Sequence, residues 1–254
     1  MRLAWRGFRY WMTLYRRIWI ASSVITIANP VLFLVGIGVG LNHVVHHTGT
    51  LGHTSYLAFF APGMLAAAAM QNGIGEGGFP VALAKTKSGN YRLAAATPLT
   101  TDAILYGHLL YVLLQVTIAA TAFTAVMVAF GAAQSPMVLL ALPAAVLTGF
   151  AFAVPVAAWA VTTPGPERVG ALFKWVVMPL YLFSGTFFPI DQLPFWIRPA
   201  AFVTPLWQGV QLCRSLSLGT ASTGPVLGHT AYLVALAAVG LFFARRNYKK
   251  TLHS

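Results

Sequence analysis

Few side chains in this sequence could carry out acid–base or metal chemistry. The carboxylates are only four, namely Glu76, Asp102, Glu167 and Asp191. Four of the seven histidines crowd one short stretch, at a spacing that could hold a metal ion: His43, His46, His47 and His53. No cysteine or carboxylate joins them there. We therefore interpret these histidines as ordinary polar loop residues and predict no metal site.

Acid–base catalysis within a membrane would need a nucleophile and a base at the same depth. His108 and His229 are the only bases in or near long apolar segments, and neither has an obvious carboxylate beside it. We predict no catalytic residue in this chain. A membrane-embedded enzyme that modifies lipids stays open as an alternative, as does a membrane anchor for a partner protein.

Nucleotide-binding motifs are absent or misleading. Gly73, Gly75 and Gly78 formally match G-x-G-x-x-G, but that fingerprint requires a preceding β-strand, and an apolar helical segment precedes it here. We interpret these glycines as a flexible helix end. The sequence contains no Gly-Lys pair, so it has no P-loop for ATP. We predict no cofactor site in this chain.

The composition identifies an integral membrane protein. Hydrophobic residues make up 58% of the 254 residues and charged residues only 8%, against about a quarter in soluble domains. Charged residues are absent from four stretches: 18–75, 103–166, 175–190 and 215–244. One spanning helix needs about 20 apolar residues. We therefore predict a single all-α domain, 1–254, with six transmembrane helices at 22–42, 54–73, 103–129, 137–161, 170–188 and 226–244.

Basic residues predict the orientation of these spans. If the N-terminus is cytoplasmic, all but Arg198 and Arg214 of the 16 lysines and arginines fall on the inner side. The net charge of +12 is then a signal of orientation and of contact with membrane lipids, not of nucleic-acid binding. We expect a multi-pass protein of the plasma (inner) membrane with both termini in the cytoplasm.

None of the four carboxylates lies mid-span, where ion-coupled transporters place acids, so uphill transport would need another subunit.

Residues 1–20 predict an amphipathic helix that lies in the membrane interface. Arginines recur at steps of three and four residues, beginning with Arg2, Arg6 and Arg9. Aromatic residues form a second stripe of Trp5, Phe8, Tyr15 and Trp19. Guanidinium groups meet lipid phosphates, and indoles favour the headgroup level.

The segment 74–102 is the long loop predicted between spans on the cytoplasmic side. Pro80 suits the first turn of a short amphipathic helix, which Ser88-Gly89-Asn90 would end. Exposed apolar residues on such a helix favour a protein partner. The alternative is that this helix lies on the lipid headgroups.

The segment 188–205 contains four prolines within an otherwise apolar stretch. We predict that Pro189 ends the fifth span. Two short re-entrant helices would then follow, at 194–200 and 205–217, with a proline in the first turn of each. Their polar side chains, including Arg214, would stay at the headgroup level. Broken helices at membrane depth are tolerated where protein or water covers their free backbone groups.

Three features carry a resemblance to a known family: "ATPLTTDAILYGHLL" (96–110), "FSGTFFPIDQLPFWIRPAAFVTPLWQGVQLCRSLSLG" (183–219) and the order of six spans after an interfacial helix. Over nearly its whole length the chain resembles permease subunits of type-2 ABC exporters, in the branch of nodulation-factor and daunorubicin-type drug exporters. The resemblance implies a homodimer or heterodimer of permeases with two separate ATPase subunits that bind ATP and Mg.

The resemblance also implies that the inner loop seats in an ATPase groove and that the outer segment 189–219 caps the substrate path. The expected ATPase-coupling residues are Glu76, Leu83, Lys85, Lys87 and Tyr91. Polar residues expected along the path are Thr26, Asn29, Gln71, Asn72, Ser184 and Thr186. The expected extracellular gate comprises Phe188, Asp191, Arg198 and Trp207. The expected substrate is an amphiphile: a drug, a lipid or a lipid-linked glycan.

Overall fold

The structure of the protein is a computed structural model. It describes residues 5–13, 15–16, 28, 31–32, 34–36, 55–86 and 100–252. The predicted first span, 22–42, and residues 87–99 of the predicted inner loop lie largely or wholly outside these ranges. The same holds for Thr26, Asn29, Lys87 and Tyr91.

The described part of the chain is helical and contains no β-strand. Its helices are α1 (5–13), α2 (Tyr56–Thr86), α3 (Thr101–Ala129), α4 (Val138–Ala160), α5 (Pro166–Leu172), α6 (Met178–Phe183), α7 (Arg198–Val203), α8 (Pro205–Leu218) and α9 (Thr223–Leu252). A π-helical turn, Phe173–Val177, joins α5 to α6, and a short 3-10 turn spans Ile190–Gln192.

Four of these helices are long and apolar enough to cross a membrane: α2, α3, α4 and α9. They contain 31, 29, 23 and 30 residues, against about 20 needed to span the hydrocarbon core. Helices α3 and α4 coincide with the predicted third and fourth spans within two residues. Helix α2 continues past the end of the predicted second span, 54–73, to Thr86. Helix α9 extends beyond the predicted sixth span, 226–244, at both ends.

The predicted fifth span ends earlier than expected. A continuous helix runs from Pro166 to Phe183 through the π-helical turn, and it is not among the four helices that meet the length and hydropathy of a span. The helix stops because Gly185 adopts a φ of +77°, a conformation that favours glycine. The prediction that Pro189 terminates this helix is therefore wrong.

Helix α2 lies at the centre of the bundle, where it packs on α3, α4 and α8. Its glycines make this packing close. A Cβ on Gly73 would lie 2.1 Å from the carbonyl oxygen of Gly149 on α4, and one on Gly77 would lie 2.7 Å from that of Ala153. Small residues let two helix backbones approach in this way. The interpretation of this glycine stretch as a flexible helix end is wrong, because these residues lie inside α2.

The start of the predicted inner loop also belongs to α2. Residues 74–86 continue the helix without a break, and Pro80 lies in its interior, not in the first turn of a new helix. Neighbouring helices satisfy or cover backbone groups freed by proline in membrane helices. Glu76, Leu83 and Lys85 therefore lie in the C-terminal half of α2, with no loop before them.

The N-terminal helix α1 packs against α3. A Cβ on Gly107 would lie 2.8 Å from Gly7 backbone atoms, and Trp11 is buried with its ring 4.9 Å from that of His108. Phe8 packs against the core, whereas Trp5 is 58% exposed. The anchor of α1 is thus Trp11, a residue outside the aromatic stripe noted in the sequence.

The outer segment contains two short helices, but only the second lies where its prolines predicted it. Helix α8 matches the predicted 205–217 within one residue, whereas α7 begins at Arg198, four residues after the start predicted at 194. Pro199 and Pro205 lie in the first turns of α7 and α8, and the Thr204 hydroxyl accepts a hydrogen bond from the Trp207 amide to cap α8. A small separate apolar cluster of Ile190, Leu193 and Ala201 holds the segment together.

Candidate functional site

Arg214, on α8, joins the N-terminal end of α2 to the turn that follows α6. Its Nε donates to the carbonyl oxygen of Phe59 at 3.0 Å, and its Nη2 donates to that of Gly185 at 2.8 Å. The guanidinium also lies 3.8 Å from the centre of the Phe59 ring. The absent side chain of Gly63 leaves room for Nη2, since a Cβ there would lie 2.9 Å away. The arginine thus clamps two segments distant in sequence.

The position of Arg214 differs from the prediction of a side chain at the headgroup level. The residue is only 7% exposed, and burial lowers the pKa of its guanidinium to about 10. Arg214 therefore keeps its positive charge at neutral pH. Among the described residues, no carboxylate forms an ion pair with it. The charge is instead held by main-chain carbonyl oxygens, which are strong acceptors for a charged donor.

The turn held by Arg214 contains two of the residues predicted for the substrate path. Ser184 and Thr186 are fully buried, and their hydroxyl oxygens lie 2.9 Å apart, within hydrogen-bond distance. The hydroxyl of Tyr56, at the start of α2, donates to the carbonyl oxygen of Phe187 at 2.9 Å. The two path hydroxyls therefore satisfy each other inside the turn in this conformation, and the turn is attached to α2.

The other described path residues lie further along α2. Gln71 is half-buried, and the side-chain oxygen Oδ1 of Asn72 is buried without a hydrogen-bond partner. Asn72 lies nine positions after Gly63, the residue that faces Thr186, which is about 13 Å along a helix. The structure does not bring these two pairs of path residues together.

The predicted gate residues gather in the outer segment. Phe188 and Trp207 pack against its small apolar cluster, and the Trp207 ring lies 5.3 Å from that of His229 on α9. Arg198 donates to the carbonyl oxygen of Leu193 at 2.8 Å and to that of Asp191. Asp191 itself is exposed. The segment is thus a compact cap that contacts α9 at its edge.

Polar contacts join the helix ends that the basic residues predict to be cytoplasmic. Lys85 donates from Nζ to the carbonyl oxygen of Thr163 at 3.3 Å, which connects the end of α2 to the turn after α4. Leu83 is 39% exposed. Asp102, at the start of α3, lies 3.6 Å from Arg245 and 3.7 Å from Lys249 on α9. These exposed ion pairs contribute up to about 1 kcal/mol each.

Glu76 does not lie at these helix ends, although it was predicted among the coupling residues. It sits inside α2, where its side chain interacts with the hydroxyl of Tyr111 and its carbonyl oxygen lies 3.0 Å from Nε2 of His108. Gln115 donates to the same tyrosine hydroxyl at 3.1 Å. The Trp11 ring packs against the rings of His108 and Tyr111. These side chains together form a polar layer between α1, α2 and α3.

Sequence reasoning missed this layer and placed no carboxylate near His108. Glu76 and His108 are 32 residues apart in sequence, so no local spacing could have revealed the contact. His108 is fully buried. Within the described ranges, no group of three His, Cys, Asp or Glu residues could hold a metal ion. The polar layer joins α1, α2 and α3.

Comparisons with known proteins agree with this architecture. The family model described as "ABC-2 type transporter" matches residues 2–218. The chain is 31% identical over 241 residues to "Nodulation protein J" of Sinorhizobium fredii, covering 92% of this chain and 90% of that protein. It is 31% identical to the protein of that name in Rhizobium leguminosarum bv. trifolii, over 84% of this chain and 83% of that protein. It is 27% identical to the protein of that name in Rhizobium meliloti, over 98% of this chain and 94% of that protein. The chain therefore belongs to the ABC-2 type transporter family and is a multi-pass membrane transport subunit.

Proposed function

We propose that the chain is the permease subunit of an ATP-driven exporter that moves an amphiphilic substrate out across the inner membrane. A separate ATPase subunit, in two copies, binds ATP and Mg, and two permease chains, most simply two identical ones, form the path. Family membership and the absence of a P-loop from the sequence support this division of labour. The substrate in this proposal is the amphiphile that the family resemblance implies: a drug, a lipid or a lipid-linked glycan.

The observation that carries the proposal is the continuity of α2. One helix of 31 residues, about 46 Å long, runs from the outer cap to the end that carries Leu83 and Lys85. Tyr56 and the Arg214 clamp attach its first turns to the outer turn. A displacement imposed on its cytoplasmic end therefore reaches the outer cap without passing through a loop.

Close packing makes this transmission effective. Gly73 and Gly77 hold the backbone of α2 against α4, and such contacts leave little freedom for the two helices to separate independently. The ATPase subunit engages the cytoplasmic segment that follows Leu83, including Lys87 and Tyr91. Lys85 has a second role in this scheme, because its bond to Thr163 links the same end to the turn after α4.

The substrate path lies between two copies of the chain and includes Gln71, Asn72, Thr26 and Asn29. Asn72 supports this assignment, since its buried Oδ1 has no partner within the described chain and can accept a hydrogen bond from a substrate or a second copy. Residues 189–219 act as the outer gate. Ser184 and Thr186 reach the path only when the turn 184–188 opens.

The test is reconstitution with an ATPase subunit encoded beside this chain. The tagged permease should co-purify with that subunit, and the complex in liposomes should hydrolyse ATP faster when an amphiphilic substrate is added. The purified permease alone should show no hydrolysis. Hydrolysis by the verified single chain, or transport without any ATPase subunit, would overturn the proposal. A lipid-modifying enzyme would instead convert lipid without ATP and would lose that activity in His108→Ala.

A further inference from the structure

A groove between α4 and α9 opens on the surface of the bundle near the basic end of α9. Its volume is about 280 Å³, slightly below the ~300–1,000 Å³ of sites for drug-sized ligands. Its apolar lining includes Pro155, Ala158, Trp159, Leu236, Val239 and Phe243. A site of this size and lining suits a slender apolar chain. None of the coupling, path or gate residues lines this α4–α9 groove.

The polar residues at one end of the α4–α9 groove are already satisfied within the chain. The Asn247 amide donates to the carbonyl oxygen of Ala158 at 2.8 Å, and the Thr162 hydroxyl donates to that of Trp159 at 2.7 Å. The groove therefore needs no polar ligand group inside it. Trp159, in the last turn of α4, is the residue type that favours the headgroup level of a membrane.

Two free basic residues extend the groove beyond this end. Lys250 follows Asn247 by three positions and Arg246 follows Val239 by seven, so both continue the groove side of α9 by helical periodicity. Both are exposed, and neither forms an ion pair with a described carboxylate. Arg245 and Lys249, on the other side of α9, are the pair that contacts Asp102.

We propose that the α4–α9 groove is a binding site for an anionic phospholipid of the leaflet at the basic end of α9. One acyl chain lies in the groove, and the phosphate lies between Arg246 and Lys250. The charge complementarity selects an anionic over a zwitterionic headgroup, and the apolar lining replaces bulk lipid around one chain. This site does not depend on ATPase coupling, so the proposed transport function can fail while the lipid site stands.

The test is native mass spectrometry of the full chain released from nanodiscs that contain equal amounts of phosphatidylglycerol and phosphatidylcholine. The parent should retain phosphatidylglycerol preferentially. Arg246→Gln with Lys250→Gln should weaken that retention by roughly 30-fold, since each cation near a membrane surface contributes about a factor of five in affinity. The matched control, Arg245→Gln with Lys249→Gln, removes the same charge from the opposite side and should keep the preference.

A third variant tests the groove separately from the charges. Val239→Phe places a larger side chain in the α4–α9 groove and should lower the retention of both lipids, while all four basic residues stay in place. Equal losses in the two charge variants would overturn the proposal, because diffuse charge alone would then explain the preference. A change in the dimer fraction of Val239→Phe with unchanged lipid retention would also overturn it and would assign the groove to a second copy of the chain.

Discussion

The contact between α2 and α4 can be tested by adding a single methyl group at Gly73. In Gly73→Ala the new Cβ would lie 2.1 Å from the carbonyl oxygen and 2.8 Å from the carbonyl carbon of Gly149. Ordinary contact begins near 3.4 Å, so the helices must move apart by more than about 1 Å. Because the opposing atoms are main chain, no side-chain rotation can relieve the overlap.

The magnitude follows from two opposing effects. Overpacking costs about 1–3 kcal/mol, and a main-chain overlap belongs at the upper end of that range. Alanine gains up to about 1 kcal/mol over glycine in a helix interior. Gly73→Ala should therefore lose about 2 kcal/mol of unfolding free energy. For a chain of this length that corresponds to an unfolding temperature about 4–8 °C lower.

Gly75, two residues along the same helix, provides the matched control. A Cβ there would meet only Phe173 Cζ at 3.9 Å, an ordinary contact. Gly75→Ala should therefore keep the alanine gain alone and unfold about 2–4 °C higher than the parent. Thermal unfolding of both variants in one detergent measures the difference. If Gly73→Ala unfolds at or above the temperature of the parent, α2 and α4 are not in this close contact and the reasoning fails.

Three further predictions concern the clamp, the coupling end and the topology. Arg214→Lys keeps the charge but loses one of two hydrogen bonds to carbonyl oxygens, about 2 kcal/mol, so amides of the turn 184–188 should exchange hydrogen about 30-fold faster. In the control Arg198→Lys, at a more exposed arginine, amide exchange in the outer segment should change less than fivefold. Equal effects of the two variants would refute the clamp. Leu83→Asp should insert normally but lose the ATPase partner or its stimulated hydrolysis, whereas parental transport would exclude this helix end from coupling. Single cysteines at 50 or 220 should react with an impermeant reagent from outside, and at 87 or 250 only after permeabilisation; outside labelling at 87 would contradict the orientation.

Local patterns in the sequence were sufficient for the membrane class and for several helix boundaries. The charge-free stretch 103–166 predicted α3 and α4 within two residues, because a charged side chain in the hydrocarbon core is costly. Pro205 predicted the first turn of α8, since proline restricts its own backbone. The other short helix was expected to begin at Pro194 and begins at Arg198 instead. The family resemblance was confirmed by the match to residues 2–218.

The glycine stretch in α2 shows where local pattern fails. Gly73, Gly75 and Gly78 have low helix propensity, so the sequence predicted a helix end there, and the helix instead runs on to Thr86. Gly73 and its neighbour Gly77 allow the close approach of α4, and the partner atoms belong to Gly149 and Ala153. That benefit depends on a helix more than seventy residues away in sequence.

The position of charged residues also depended on contacts between segments distant in sequence. From the sequence alone, Arg214 was a polar residue near an apolar segment and was assigned to the headgroups. The tertiary structure buries it because carbonyl oxygens of Phe59 and Gly185, 155 and 29 residues away, converge on the guanidinium. Likewise, the backbone of Glu76 meets His108 only when α2 and α3 pack. Hydropathy and periodicity are properties of neighbouring residues, whereas burial of a charge requires acceptors brought together by the fold, so only the tertiary structure decided these contacts.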